Sequence, residues 1–290
     1  MRRVFLPTTS DELWACLDAH PSARIFSGGT DLFVKLRREK PEASALVGLE
    51  RIAALKDITE AGGEIRIGAC ATFAELLRHG LISNSLPVLH RALAVLGSPP
   101  IRAMGTIGGN ICTASPAGDT LPPLYVLQAS VETASATGVR LIPIKDFITG
   151  PGQTRLGVGE MVTAVRIQKP AGVNIQHYEK VGQRKSMACA VASFAALIRL
   201  APSGIIQTAR LAWGSVGPTV VTDESLENFL TGKKLSPETL SDAAKKVRCT
   251  VHPIDDIRAS ADYRRQISGN LLYRLLATTP AGNDAWKETR

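Results

Sequence analysis

A chain of 290 residues, 44% hydrophobic and 21% charged, has the composition of a soluble globular protein with two or three compact units and a large core. Its longest apolar runs, such as Ala188 to Ile198, are broken by Ser193 and are too short for a bilayer. Met1-Arg2-Arg3-Val4-Phe5-Leu6-Pro7 has no apolar core behind its basic residues, so neither a signal peptide nor membrane insertion is expected. The net charge of +8 comes from scattered basic residues among acids, with aromatics at 5% and no basic run interleaved with them. That pattern excludes a nucleic-acid module and suits an anionic cofactor and acidic partners. Cys16, Cys70, Cys112, Cys189 and Cys249 are far apart in sequence, so this chain holds no iron–sulfur cluster or zinc of its own. Their odd number, without a signal peptide, fits reduced thiols in a cytoplasm.

In chain order, Ser10 reads as the N-cap of a helix with Asp11 and Glu12 in its first turn. Ala23 to Phe26 reads as a short strand, the stretch after Asp31 as a helix, Ala45 to Leu49 as a strand and Ile52 to Leu55 as a helical turn. Glu64 to Ala69 alternates like a strand, and Thr72 with Glu75 has capping-box spacing. A helix begins at Leu86 and stops at Gly97-Ser98-Pro99-Pro100, ahead of a glycine-rich loop. Leu124 to Leu127, Ser130 to Ala134 and Val139 to Ile144 read as packed apolar segments or strands, and Met161 to Ile167 as a strand ending at Pro170. Beyond that point Ile175 to Val181, Ala190 to Leu200 and Thr208 to Val216 form an antiparallel meander, followed by helices over Ser225 to Leu230, Ser236 to Arg248 and Ser260 to Leu276. The expected organisation is α+β: residues 1–57, 58–170 and 171–290.

Two loops carry chemistry. Ser27-Gly28-Gly29-Thr30-Asp31 joins a strand to a helix; glycines let a ligand approach the main chain, and exposed N–H groups beside a helix start can form an anion nest. Alone, the loop reads rather as a tight turn with Thr30 or Asp31 as N-cap. The second, Gly105-Thr106-Ile107-Gly108-Gly109-Asn110, is too polar and glycine-rich for core and too apolar for a linker. Thr113, Ser115, Gly118, Asp119 and Thr120 follow it. Donors among small apolar residues suit a large flat cofactor with a pyrophosphate. Neither loop has GxGxxG or GxxxxGK[ST] spacing, so the Rossmann and Walker solutions are excluded.

With these residues in view, the sequence resembles the FAD-binding medium subunit of the molybdenum hydroxylases, of the xanthine dehydrogenase and carbon monoxide dehydrogenase type. Ser27 to Leu32 is similar to AGGTDL, Ser98 to Arg102 to SPQIRN, Thr106 to Ile111 to TIGGNI and Ala114 to Asp119 to ASPAGD. Glu179 to Arg184 is similar to xKxxxR, and Ala261 to Arg265 to SAEYRR. The resemblance implies a two-subdomain FAD-binding domain of the vanillyl-alcohol-oxidase (PCMH) type, followed by a C-terminal antiparallel sheet with helices.

It also implies site residues. Arg24, Ile25, Phe26, Ser27, Gly28, Gly29, Thr30, Asp31 and Leu32 wrap the pyrophosphate. Ile101, Gly105, Thr106, Gly109, Asn110, Cys112 and Thr113 follow the ribityl chain and flavin ring, and Gly108 and Gly118 belong to the same set. Asp119 accepts hydrogen bonds from the adenosine ribose, Met161 and Val162 flank the cofactor, and Lys180 reaches the flavin ring region. Pro100 replaces the family's glutamine, Ala103 its frequent asparagine, and Leu96 stands where NAD-using xanthine dehydrogenases carry an aromatic.

No histidine has ligand spacing, and His20, His79, His90, His177 and His252 read as surface or packing residues. Trp14, Trp213 and Trp286 read as packing or interface residues, and Cys112 as a small apolar filler. There are cofactor loops but no acid–base pair or nucleophile, so no catalytic residue is assigned. The reading is a cytoplasmic oxidoreductase subunit that carries FAD and relays electrons to NAD or another acceptor. It implies a large subunit with a molybdenum cofactor and a small subunit with 2Fe–2S clusters, in a dimer of heterotrimers. Alternatives are a stand-alone flavin reductase or oxidase of the same superfamily, and a flavin-free assembly protein.

Overall fold

The computed structural model describes residues 3–38, 45–184 and 187–278. They divide into two compact units, neither contiguous in sequence. The first takes Met1–His79, Gly97–Ser115 and Gln128–Lys169; the second takes Gly80–Leu96, Pro116–Leu127 and Pro170–Arg290.

The first unit opens with β1 (Arg3–Phe5), α1 (Ser10–Ala19), β2 (Arg24–Phe26), α2 (Leu32–Arg38) and β3 (Ala45–Gly48). The strands lie in the order β1-β3-β2, all parallel. Parallel neighbours need crossover connections, which α1 and α2 supply. The N-cap of α1 is Thr9, one residue earlier than the sequence suggests: its hydroxyl accepts from the Glu12 N–H at 3.2 Å, while the Glu12 carboxylate accepts from the Thr8 N–H at 2.7 Å. Leu13 of α1 is fully buried against Val47, Leu49, Ile52 and Leu55, the core of this region.

Next come β4 (Ile58–Ala61), β5 (Glu64–Gly68) and α3 (Phe73–Arg78). Thr72 and Glu75 form the expected capping box, with the Thr72 N–H donating to Glu75 at 2.7 Å and the Glu75 N–H to Thr72 at 3.2 Å. After α4 (Gly80–Ser85) and α5 (Pro87–Val95) the chain forms α6 (Pro99–Met104), α7 (Ile107–Thr113) and α8 (Leu121–Val126). The sequence presents this stretch as loop and apolar segments; three short helices form because Ser98 and Thr106 cap two of them and prolines occupy first turns.

β6 (Ser130–Ser135), β7 (Gly138–Pro143), α9 (Ile144–Phe147), β8 (Ile148–Gly150), β9 (Gln153–Thr154) and β10 (Met161–Gln168) complete the unit. Its main sheet, β4-β5-β10-β6-β7, is antiparallel throughout. Ile65 and Ile67 of β5 are fully buried while Glu64 and Arg66 are not, which is the alternation visible in the sequence.

In the second unit β11 (Ile175–Val181), β12 (Ala192–Leu200) and β13 (Ile206–Gly214) form the expected meander. α10 (Glu224–Leu230), α11 (Pro237–Thr250) and α12 (Ala261–Asn270) follow; α12 gives way to a 3-10 stretch over Leu271–Thr278, short of the single helix to Leu276 read from sequence. Phe194 and Trp213 centre the core with their rings 5.1 Å apart, and burying Phe194 contributes roughly 2–3 kcal/mol. The Trp213 indole donates to the Ser268 carbonyl at 3.1 Å, so its packing role holds. Trp286 lies outside the described residues. Arg264, buried at the start of α12, donates to the Val191 carbonyl at 2.8 Å, the Ser215 carbonyl at 3.0 Å and the Asp256 carboxylate at 2.6 Å. Among the described residues no helix is long and apolar enough to cross a membrane.

Candidate functional site

The first glycine loop leaves the C-terminal end of a parallel strand and enters a helix, the place where α/β sheets receive ligands. The Leu49 N–H donates to the Phe26 carbonyl at 2.9 Å and closes the strand end. Gly29 has φ +68°, which an L side chain adopts only with strain. A Cβ on Gly28 would stand 1.6 Å from the Met104 carbonyl oxygen, so the loop is pressed directly on the end of α6. The Phe33 N–H donates to Gly29 at 3.0 Å and the Lys35 N–H to Asp31 at 3.1 Å, the first bonds of α2. The N–H groups preceding them have no acceptor within the helix. The Asp31 carboxylate lies 2.8 Å from the Lys35 ammonium in an exposed pair and 3.2 Å from the Thr113 hydroxyl, which ties the first loop to α7.

The second glycine segment is organised differently. Gly105 ends α6, and Thr106 caps α7 by accepting from the Gly109 N–H at 3.2 Å. The Ile107 N–H donates to Ala71 at 3.1 Å and the Gly108 N–H to Ala69 at 2.9 Å. The first-turn donors of α7 are thus engaged by the protein itself. Gly108 is buried, and a Cβ there would meet the Ala69 Cβ at 2.6 Å. Gly109 is exposed, with only the Thr106 hydroxyl near its missing Cβ, at 3.1 Å.

Between these features runs a cleft of about 670 Å³. From the residues expected in sequence it takes Arg24, Ile25, Phe26, Ser27, Gly108, Gly109, Cys112, Met161 and Val162. Gly28, Gly29, Thr30, Asp31 and Leu32 stand in the adjoining turn and α2, and Ile101, Gly105, Thr106, Asn110 and Thr113 on α6, α7 and the cap between them; none of these lines the cleft. Sequence reasoning missed the α1 wall of Trp14, Leu17 and Asp18, and the Leu156 to Glu160 segment. The pair Gly157 and Gly159 just ahead of Met161 is the signal that marks the latter.

Glu160 anchors that segment. It accepts from the Thr133 hydroxyl at 2.6 Å, from Arg140 Nε at 2.8 Å and from the Gly157 N–H at 2.7 Å. The Arg140 guanidinium, helped by Thr133 and Gly157, holds its carboxyl down at about 2. Cys112 is exposed and lines the cleft, so it is not the buried small filler expected from the sequence. Small residues and apolar walls in a cleft beside the first loop fit a flat ring system.

Gly118, Asp119 and Lys180 belong to the second unit. Lys180, which by itself reads as a solvated lysine, is buried: its ammonium lies 2.7 Å from Asp119 Oδ2, with side chains 8% and 9% exposed. Tyr178 donates to Asp119 Oδ1 at 3.2 Å. Burial pushes the Asp119 carboxyl up and the Lys180 ammonium pulls it back; burial and the Asp119 charge drive the Tyr178 phenol well above its ordinary value. His177 is also buried and held down to about 4 by burial, with Arg91 and Arg274 nearby, so it is neutral at pH 7. Among the described residues no group of His, Cys, Asp or Glu is placed to hold a metal ion.

Fold and cleft define a flavin-binding α+β protein. Residues 1–170 match the FAD binding domain in molybdopterin dehydrogenase, and residues 177–279 match the CO dehydrogenase flavoprotein C-terminal domain. The chain is 30% identical over 265 residues to the xanthine dehydrogenase FAD-binding subunit of Escherichia coli O157:H7, covering 90% of each chain. It is 30% identical over 269 residues to the nicotinate dehydrogenase FAD-subunit of Eubacterium barkeri, again covering 90% of each. The solved quinoline 2-oxidoreductase from Pseudomonas putida 86 is similar in fold, with a TM-score of 0.91 and 27% identity over 97% of this chain and 98% of that one. The chain therefore belongs to the FAD-binding subunits of molybdenum hydroxylases of the xanthine and CO dehydrogenase type, and is an oxidoreductase component whose cofactor is FAD.

Proposed function

We propose that this chain is the FAD-carrying station of an electron relay, receiving electrons from iron–sulfur clusters of a small partner subunit and passing them to NAD or another acceptor. Substrate oxidation would belong to a large partner with a molybdenum cofactor, and the assembly would be a dimer of heterotrimers in the cytoplasm. The observation that carries this reading is a cleft walled by Arg24 to Ser27 ahead of the first glycine pair and by Gly108 and Gly109 of the second segment. Bound FAD supplies one- and two-electron redox chemistry. The chain's own residues bind and orient it. The first-loop amides meet the pyrophosphate, Gly109 and Cys112 leave room for the ring, and Met161 and Val162 form the wall against it. Asp119 and Lys180 belong to the cofactor set that the resemblance implies.

The three-part division at 57/58 and 170/171 is also a proposal. Its support is that each main sheet draws its strands from one part: residues 3–48, 58–168 and 175–214. Purified chain reconstituted with FAD and measured by absorbance is the test. Flavin bands at one equivalent are expected; a colourless protein that takes up no FAD overturns the reading. Co-purification of partners carrying molybdenum and iron–sulfur, and reduction of NAD by the assembled complex, test the relay.

A further inference from the structure

FAD is two flat ring systems joined by a pyrophosphate, and the 670 Å³ cleft of the first unit has two kinds of wall. Gly108, Gly109 and Cys112 make a wall of small residues. The other kind is apolar and bulky, built from α1 and from the segment that Glu160 anchors. Leu17 and Asp18 follow Trp14 by three and four residues on α1, so the three share a face, and all three line the cleft. Pro21 joins them from the turn after the helix. Trp14 and Leu17 are half-buried, packed in part on the core of Leu13, Val47 and Leu49. The core thus fixes the indole while the rest of it borders the cleft. From the anchored segment come Leu156, half-buried, and Val158, fully exposed. A fully exposed valine in a held segment is apolar surface that a ligand can cover.

Charge decides which part of FAD this wall suits. Asp18 shares the Trp14 face of α1, so a phosphate there would meet a like charge. Arg24 is the cation among the lining residues, and it stands on β2, the strand that runs into the first glycine loop. An uncharged base has no quarrel with Asp18, and its π-face matches an indole. We propose that Trp14 stacks on the adenine of FAD, with Leu17, Pro21 and Val158 covering the rest of the base. Trp14 is then the residue that makes the cleft select a flavin dinucleotide over the mononucleotide. The proposal rests on the reading that FAD occupies this cleft with its flavin ring against Gly109 and Cys112. An indole already held by the core meets the base with little further loss of side-chain freedom.

The test compares FAD with FMN, which has the same flavin ring without the adenosine, by equilibrium dialysis against the full chain, W14A and W14F. W14A is expected to weaken FAD by about tenfold, the loss of one aromatic–base stack, and to leave FMN unchanged. W14F keeps a ring and stays within about threefold of wild type for both. ADP added to the flavin-free chain should change the tryptophan emission, and W14F should abolish that change, since Trp213 is buried in the second unit on the Ser268 carbonyl. FAD and FMN weakened alike by a W14A chain that melts as the wild type does, or neither weakened, overturns the proposal. So does an ADP signal that is missing in the wild type or persists in W14F, and this arm decides alone if W14A melts early. A wild-type chain that takes up no FAD overturns the underlying reading together with the proposal, whereas one that takes up FAD and is indifferent to W14A overturns the proposal alone.

Discussion

The two glycine segments look alike in sequence and serve different purposes. In each, a glycine lets another segment of the chain approach closely. Gly28 is pressed on the Met104 carbonyl and Gly108 on Ala69, whereas Gly29 adopts φ +68° and Gly109 faces outward. They part at the main chain. The first bonds of α2 return to Gly29 and Asp31 of the loop itself, while α7 spends its first-turn N–H groups on Ala71, Ala69 and the Thr106 hydroxyl. A glycine-rich motif thus specifies close approach, and the partners of its amides decide whether what approaches is a ligand or the protein.

The largest effect is expected where packing is tightest. G28A puts a methyl group into the Met104 carbonyl and should cost about 3 kcal/mol or more, seen as a lowered melting temperature; an unchanged melting temperature removes the packing role. G109A is its counterpart. It should leave stability within about 1 kcal/mol, because a new Cβ meets only the Thr106 hydroxyl, yet lower the equivalents of FAD retained on gel filtration. If both variants lose stability alike, the distinction between packing and facing glycines fails.

A smaller effect tests the claim that α7 is held by its cap. T106A removes the acceptor for the Gly109 N–H and should cost about 1 kcal/mol in urea unfolding. An effect near zero would mean that Ala69 and Ala71 hold the segment by themselves.

Least in size is the electrostatic anchoring of the third wall. The folded-state value of Glu160 lies at about 2, below its ordinary 4.5, so it favours the folded state fully above pH 4.5 and loses that contribution as pH falls toward 2. E160Q should flatten this part of the acid-unfolding curve, and an unchanged curve removes Glu160 as the anchor.

Much of this architecture was legible beforehand. Alternation marked β5, capping-box spacing marked α3, and three apolar runs marked the meander over β11 to β13, because each is written in residues close together in the chain. α6, α7 and α8 were hidden, since glycine and proline there read as loop and only distant carbonyls and caps stabilise such short helices. The α1 wall of the cleft was hidden for a related reason: Trp14 reads as a packing or interface residue, and nothing local shows that the space beside it stays open.

By itself, then, the sequence determined the kind of protein, since spacing and residue type set which turns and caps form. Tertiary structure decided the rest. It engaged the first-turn amides of the second glycine segment with Ala71 and Ala69, and it turned Lys180 from a solvated cation into a buried partner of Asp119. The physical reason is that burial and hydrogen-bond partnership depend on residues far apart in sequence, and these set what a donor or a charge is worth.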